Sequence, residues 1–321
     1  MIEFFKTTNE KMEQLSALED GCWVKVTAPT DDEIEMLSKE MDVPKPYILD
    51  ALDSEERSRI ELKRAEQDVR HSLVIVDYPY ESEDELGYAM YETLPIGIVL
   101  TRKHLVTIAL RDLPILKDVQ SMKLEEYDTT NHKQFLLKLL YAVSYYYLKY
   151  LNQIIKQTNN LEIQIKQSMK NEQLYAFMAV QKSLVFFATA LQSNKAILDK
   201  MEDVEHFMQQ EDNHDLLRDV IIENKQAIAM TDTYTQIISG MSDVFSSVIS
   251  NNLNIVMKFL TSFTIILSLP TIVASIYGMN IKLPFIKLPF MHNEHAFALI
   301  LLFTLLITTG VTVIFWRRKY F

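Results

Sequence analysis

The sequence predicts an α+β fold: an N-terminal α/β domain, a long helical stalk and two C-terminal transmembrane helices per subunit. Two uncharged runs carry the membrane part, FLTSFTIILSLPTIVASIY (259–277) and AFALILLFTLLITTGVTVIFW (296–316). Each approaches the roughly 20 residues that a hydrocarbon core of about 30 Å demands at 1.5 Å rise per residue. A buried soluble helix would explain neither the length nor the repetition. The third observation is a stretch from near Asn213 that lacks Pro or Gly until Gly240 and runs on into the first span. That makes about 65 helical residues, on the order of 100 Å, too long for an element of a compact domain.

Residues 1–125 read as the α/β domain. SLVIVDYPY (72–80) and LPIGIVLTRKHLVTIAL (94–110) are rich in Val and Ile, as strands are. PTDDEIEMLSKEMDVP (29–44) reads as a helix opened by Thr30 or Asp31, with Glu33 and Glu35 near its positive end. The 6 glycines form neither GxGxxG nor GxxxxGK[ST], so no phosphate loop is present. Residues 126–212 read as a helical layer. FLLKLLYAVSYYYLKYLNQIIKQTNNLEIQIKQSMK keeps apolar residues at steps of three and four, and a second helix follows from about 172 to 203. Tyr145, Tyr146 and Tyr147 fit helix packing better than a binding site. The stalk occupies 213–258, the spans 259–277 and 296–316, an outer loop 278–295, and a basic tail 317–321.

The formal charge of −11 argues against nucleic acid as a partner. One cysteine, Cys22, allows neither an intrachain disulfide nor a Cys-based zinc cluster. The start of the chain lacks the basic and apolar segments of a signal peptide. Across residues 1–255 charges are frequent and no apolar run approaches membrane length. With Arg317, Arg318 and Lys319 after the second span, both termini are expected in the cytoplasm, the chain in the plasma membrane and the loop outside. Lys282 and Lys287 in the loop, against Glu294, weaken the charge bias; the large acidic domain without an export signal decides it.

A polar track runs along the stalk helix. From Asn254, alternate steps of three and four give Met257, Thr261, Thr264, Ser268, Thr271, Ser275 and Gly278. Backwards in phase come Ser250, Ser247, Asp243, Gly240, Gln236, Thr233, Ala229, Gln226, Ile222 and Asp219. Small and hydroxyl residues also favour a packing seam between membrane helices. A seam would want an apolar continuation in its soluble part, as coiled-coil core positions do, and here Gln, Thr, Ser and Asp stand there. A water-filled axis fits better, and two spans enclose one only in a symmetric homo-oligomer. Met257 and Leu260 suit an apolar constriction that gates by dewetting. Asp219 and Asp243 read either as carboxylate sites for Mg²⁺ or as solvated helix acids. At the outer end, Gly278 and Asn280 offer neutral oxygens to a hydrated cation.

Tyr277-Gly278-Met279-Asn280, placed at the end of the first of two terminal spans, resembles the signature of the CorA magnesium/cobalt transporter family. The resemblance extends through RDV (218–220), DVFSSV (243–248) and NNLNIVMKFLT (251–261), and faintly through 29–61 and 181–201. It implies a funnel-shaped homopentamer in the lipid bilayer that passes divalent cations, chiefly Mg²⁺, with Co²⁺ and Ni²⁺ unranked. It further implies Gly278, Met279, Asn280 and Glu294 at the entry. Asn254, Met257, Leu260 and Thr271 carry over as pore rings with Asp243, beside Thr264, Ser268 and Ser275 of the polar track. A regulatory Mg²⁺ is implied at Asp219, with Asp84 or Glu85 as its N-terminal partner. Ser268 stands where several members have Met, and Pro270 one residue later than the Pro of some. Met279 favours the magnesium and cobalt branch over zinc; His292 and His295 in the loop lack a third zinc ligand. The competing reading is a membrane-anchored metal sensor that does not conduct. No HExxH helix or nucleophile–base spacing points to an enzyme.

Overall fold

The computed structural model describes residues 1–65, 68–122, 126–167, 171–208, 211–279 and 294–318. Two compact units meet within a helix: Met1–Ser239 and Gly240–Phe321.

The first unit is built on a seven-stranded sheet of order β2-β1-β3-β7-β6-β5-β4. The strands are β1 (Ile2–Thr8), β2 (Lys11–Leu15), β3 (Trp23–Thr27), β4 (Arg59–Ala65), β5 (Asp68–Glu83), β6 (Ala89–Leu100) and β7 (Leu105–Ala109). Among the described residues only β3 and β7 pair in parallel; the other five pairings are antiparallel. WVKVT and LVTIA are buried at all five positions each, as a parallel pair covered on both faces requires. Lys25 lies within that buried strand, 3% exposed, with its Nζ 3.2 Å from carboxylate oxygens of both Glu3 and Asp112.

Alternation along β3 sends Val24 and Val26 to one face and Trp23 to the other. On the first face sit α1 (Asp31–Glu40) and α2 (Lys45–Ala51), whose Ile34, Leu37, Ile48 and Ala51 join Val24, Val26, Val99 and Ile108 in one core. Thr30 caps α1: its hydroxyl accepts from the Glu33 N–H, and Glu33 returns the bond to the Thr30 N–H at 2.9 Å. On the second face lie α3 (Pro114–Gln120), α4 (His132–Gln167) and α5 (Asn171–Glu202). There Trp23 meets the edge of Phe135 at 5.5 Å, and its indole donates to Thr107 Oγ1 at 3.0 Å. Of the tyrosine triplet, Tyr146 and Tyr147 are buried and Tyr145 is exposed, so two of the three are packing residues.

α5 differs from the sequence expectation. It is long and apolar enough to cross a membrane, although the run before residue 255 reads as too short and charged. The reason lies in QKSLVFFATALQSNKAIL, whose few charges fall at its ends. Its most apolar window is 44% buried, with Phe177, Leu184, Phe187 and Leu191 turned inward, and α5 packs on β6 and β5.

The last two helices are α6 (Glu211–Gly278), 68 residues long, and α7 (Ala296–Arg317), 22 residues long. Their apolar windows are 6% and 0% buried inside the protomer. That apolar surface awaits lipid or other chains.

Candidate functional site

α6 has two contrasting faces. In the first unit Leu217, Val220, Asn224, Ala227 and Thr231 are buried at steps of three and four. Asn224 donates to the Leu191 carbonyl of α5 at 3.3 Å, which identifies the neighbour. The track from Asp219 through Ile222, Gln226, Ala229 and Thr233 is offset by two residues, about 200° around the helix, and every one of these is exposed.

In the second unit residues 249–261 are exposed all round the helix, and a division returns from Ser262 onward. Ser262 is buried and Ile266, Leu269, Pro270, Val273 and Tyr277 are half-buried, again at helical spacing. A groove of about 680 Å³, lined by Pro270, Ala274 and Tyr277 with Ile300, Thr304 and Thr308, shows that this flank meets α7. Asn254, Met257, Leu260, Thr261, Thr264, Thr271, Ser275 and Gly278 are exposed, and Ser268 is half-buried. The polar stripe is therefore not a seam between the two apolar helices of one chain.

Five hydroxyls on the stripe share a geometry that the sequence pattern does not reveal. Thr264 donates to the Leu260 carbonyl at 2.8 Å, Ser268 to Ile265 at 2.9 Å and Thr271 to Leu267 at 3.0 Å. Ser247 and Thr233 do likewise to Asp243 and Ala229. A hydroxyl has one proton and two lone pairs. With the proton committed to the helix backbone, each presents only acceptor oxygen outward. Such hydroxyls suit a cation or the water around it and offer an anion nothing.

At its C-terminal end α6 stops at Gly278, where an added Cβ would meet nothing within 4 Å, and Met279 is exposed. Asn280 lies outside the described residues, as do Lys282, Lys287 and His292. Glu294 is exposed just before α7, whose N-cap position is His295.

The acidic candidates stand apart in the fold. Asp219 and Asp243 are exposed on α6. Asp84 is half-buried in the β5–β6 turn, where its Oδ1 accepts from the N–H groups of Leu86 at 2.9 Å and Tyr88 at 2.8 Å. Its second oxygen remains for another partner, and Glu85 beside it is exposed. Among the described residues no three His, Cys, Asp or Glu side chains gather into a metal site.

A family profile described as CorA-like Mg2+ transporter protein matches residues 19–319. This chain belongs to that family. The cobalt/magnesium transport protein CorA of Methanocaldococcus jannaschii is 25% identical over 302 residues, 93% of this chain and 90% of its own. The complete structure of the CorA magnesium transporter from that organism superposes with a TM-score of 0.80 at 22% identity, covering 100% of this chain and 99% of the other. Its soluble domain alone gives a TM-score of 0.66 over 77% of this chain. The architecture is thus the CorA fold: an N-terminal α/β soluble domain, long helices and apolar C-terminal helices.

Proposed function

We propose that this CorA-family chain conducts hydrated divalent cations, chiefly Mg²⁺ with Co²⁺ as a further cargo, through a pore built from several copies of itself. One observation carries the reading: the acceptor face of α6 is exposed in the protomer and directed away from α5 and α7. Bilayer would leave the outward lone pairs of such a face unsolvated; water along a shared axis would not. Two helices cannot close a pore, so identical subunits each contribute one α6, and the family resemblance supports five of them in a funnel. α6 and α7 are the spans, with both termini in the cytoplasm of a plasma-membrane protein. α5 stays with the soluble sheet because its apolar side is already spent there.

Entry takes place at Gly278, Met279 and Asn280, with Glu294 attracting cations to the mouth. Mg²⁺ sheds water reluctantly, and neutral oxygens hold it through its shell without trapping it. Ser275, Thr271, Ser268 and Thr264 then accept from that shell along the axis. Met257 and Leu260 form the apolar ring that closes by losing its water, with Asn254 below it and Asp243 as a carboxylate ring further in. Asp219 of one subunit and Asp84 or Glu85 of the next form the regulatory site. Their hard carboxylate oxygens fit Mg²⁺. When the site empties at low cytoplasmic Mg²⁺, like charges face one another and the ring loosens.

Mg²⁺ uptake into liposomes holding the purified protein tests this, with Asn280→Ala in parallel. The expected result is flux in the wild type and none in an assembled Asn280→Ala variant. No flux from either at low internal Mg²⁺ contradicts the pore and favours a sensor that does not conduct.

A further inference from the structure

Where β5 begins and β6 turns into β7, an open cleft of about 540 Å³ is lined by Glu40, Asp42, Arg70, His71, Arg102 and Lys103, among others. Three separate segments build it. The end of α1 and the link after it bring Glu40 and Asp42, the start of β5 brings Arg70 and His71, and the β6–β7 turn brings Arg102 and Lys103. Thr101 Oγ1 accepts from the N–H groups of Lys103 at 3.3 Å and His104 at 3.0 Å, which holds that turn in shape. Asp42 adopts a φ of 56° and reaches Arg70 Nε at 2.9 Å and His71 Nε2 at 3.3 Å.

His71, 4% exposed, forms part of the cleft wall and turns its Nε2 to Asp42. Arg102 is exposed and makes no ion pair among the described residues. Lys103 pairs with Asp20 at 2.9 Å on an open surface, a contact worth little and readily exchanged.

Guanidinium forks match phosphate oxygens in pairs. Glu40 and Asp42 would repel a bare phosphate, and the described residues offer no three-ligand site to a bare metal ion. The combination of one or two carboxylates with cationic donors is the setting in which Mg²⁺ is bound together with phosphate. We propose that this cleft binds a Mg²⁺-complexed oligophosphate, the chemical class of nucleoside di- and triphosphates. It is not the Asp84 region under another name. β5 and β6 pair from Ser72↔Leu100 beside the cleft to Glu83↔Ala89 beside Asp84, on the order of 35 Å at 3.4 Å per residue.

Calorimetric titration of the full chain in detergent with tripolyphosphate and with ATP, in Mg²⁺ and in EDTA, tests the proposal. Saturable binding in Mg²⁺ is expected, lost in EDTA and weakened about tenfold or more by Arg102→Ala and by Arg70→Ala. Tripolyphosphate should bind about as well as ATP, since the cleft offers charge rather than an aromatic platform for a base. Both arginines are exposed, so neither substitution removes buried packing, and an unchanged thermal midpoint is expected for each variant. Absence of saturable binding, or binding indifferent to both substitutions, overturns the site; binding undiminished in EDTA overturns its metal-bridged form. The readout is binding rather than flux, so it is decided independently of the transport reading.

Discussion

Asn194 of α5 pins the sheet by its side chain alone. Its Oδ1 accepts from the Asp77 N–H at 2.9 Å, and its Nδ2 donates to the Asp77 carbonyl at 2.8 Å. The Asp77 carboxyl is thereby held in a buried place, and burial pushes its pKa up against the lowering effect of the Ser58 hydroxyl at 3.0 Å. A raised carboxyl pKa means the folded chain keeps a proton that the unfolded chain releases. Asp77 therefore costs stability as pH rises from the usual carboxylate range through its folded-state value. Asp77→Asn is expected to flatten that part of the pH profile; thermal unfolding curves of variant and wild type that run parallel from acid to neutral pH would contradict this. Gly97 of β6 is a second point of tight fit, since a Cβ there would lie 2.3 Å from Ala51 Cβ of α2. Gly97→Ala should cost roughly 1–3 kcal/mol by overpacking, measurable as a lowered denaturation midpoint. Neither residue is legible in the sequence, because both depend on which chain segment happens to lie opposite.

Single elements are more legible. Thr30 with Glu33 three residues on is a local signal, and the capping box forms as its chemistry dictates. The Val- and Ile-rich run at 94–110 resolves into β6 and β7, with the charged Thr101–His104 segment as the turn between them. α5 is the instructive failure, because a helix that lies on a sheet can be as apolar as one that lies in lipid. Only the buried partner distinguishes them. On α6 the stepping of three and four recovers an exposed face, whereas the direction of its hydroxyl protons needs coordinates. If that acceptor face meets the cargo, Thr271→Val, equal in shape but without the oxygen, should lower Mg²⁺ flux by roughly fivefold, the equivalent of a hydrogen bond of about 1 kcal/mol. Unchanged flux in an assembled Thr271→Val protein would remove Thr271 from the pathway.

At the scale of the whole molecule, the order of the seven strands and the parallel meeting of β3 with β7 lie beyond local pattern, since they join segments some eighty residues apart. The membrane part is the reverse: charge-free runs of limited length leave few alternatives. The proposed assembly bears on the acidic residues. An exposed Asp219 and a half-open Asp84 make sense as halves of a site completed by a neighbouring copy, and Asp219→Asn should then weaken closure by Mg²⁺. Flux persisting at high internal Mg²⁺ is the expected sign, and unchanged inhibition would take Asp219 out of the sensor. The central claim, that the polar face of α6 borders water while its flank borders lipid, is open to one direct measurement. Cys22 is fully buried and burial pushes its thiol pKa up, so introduced cysteines report with little background. Cysteines replacing Thr264, Thr271 and Ser275 are compared with cysteines replacing Ile265, Ile272 and Ile276, one residue further round the helix, under a membrane-impermeant thiol reagent during Mg²⁺ flux. Modification and block in the first set, with the second set untouched, is the result predicted; equal or inverted reactivity would contradict the pore.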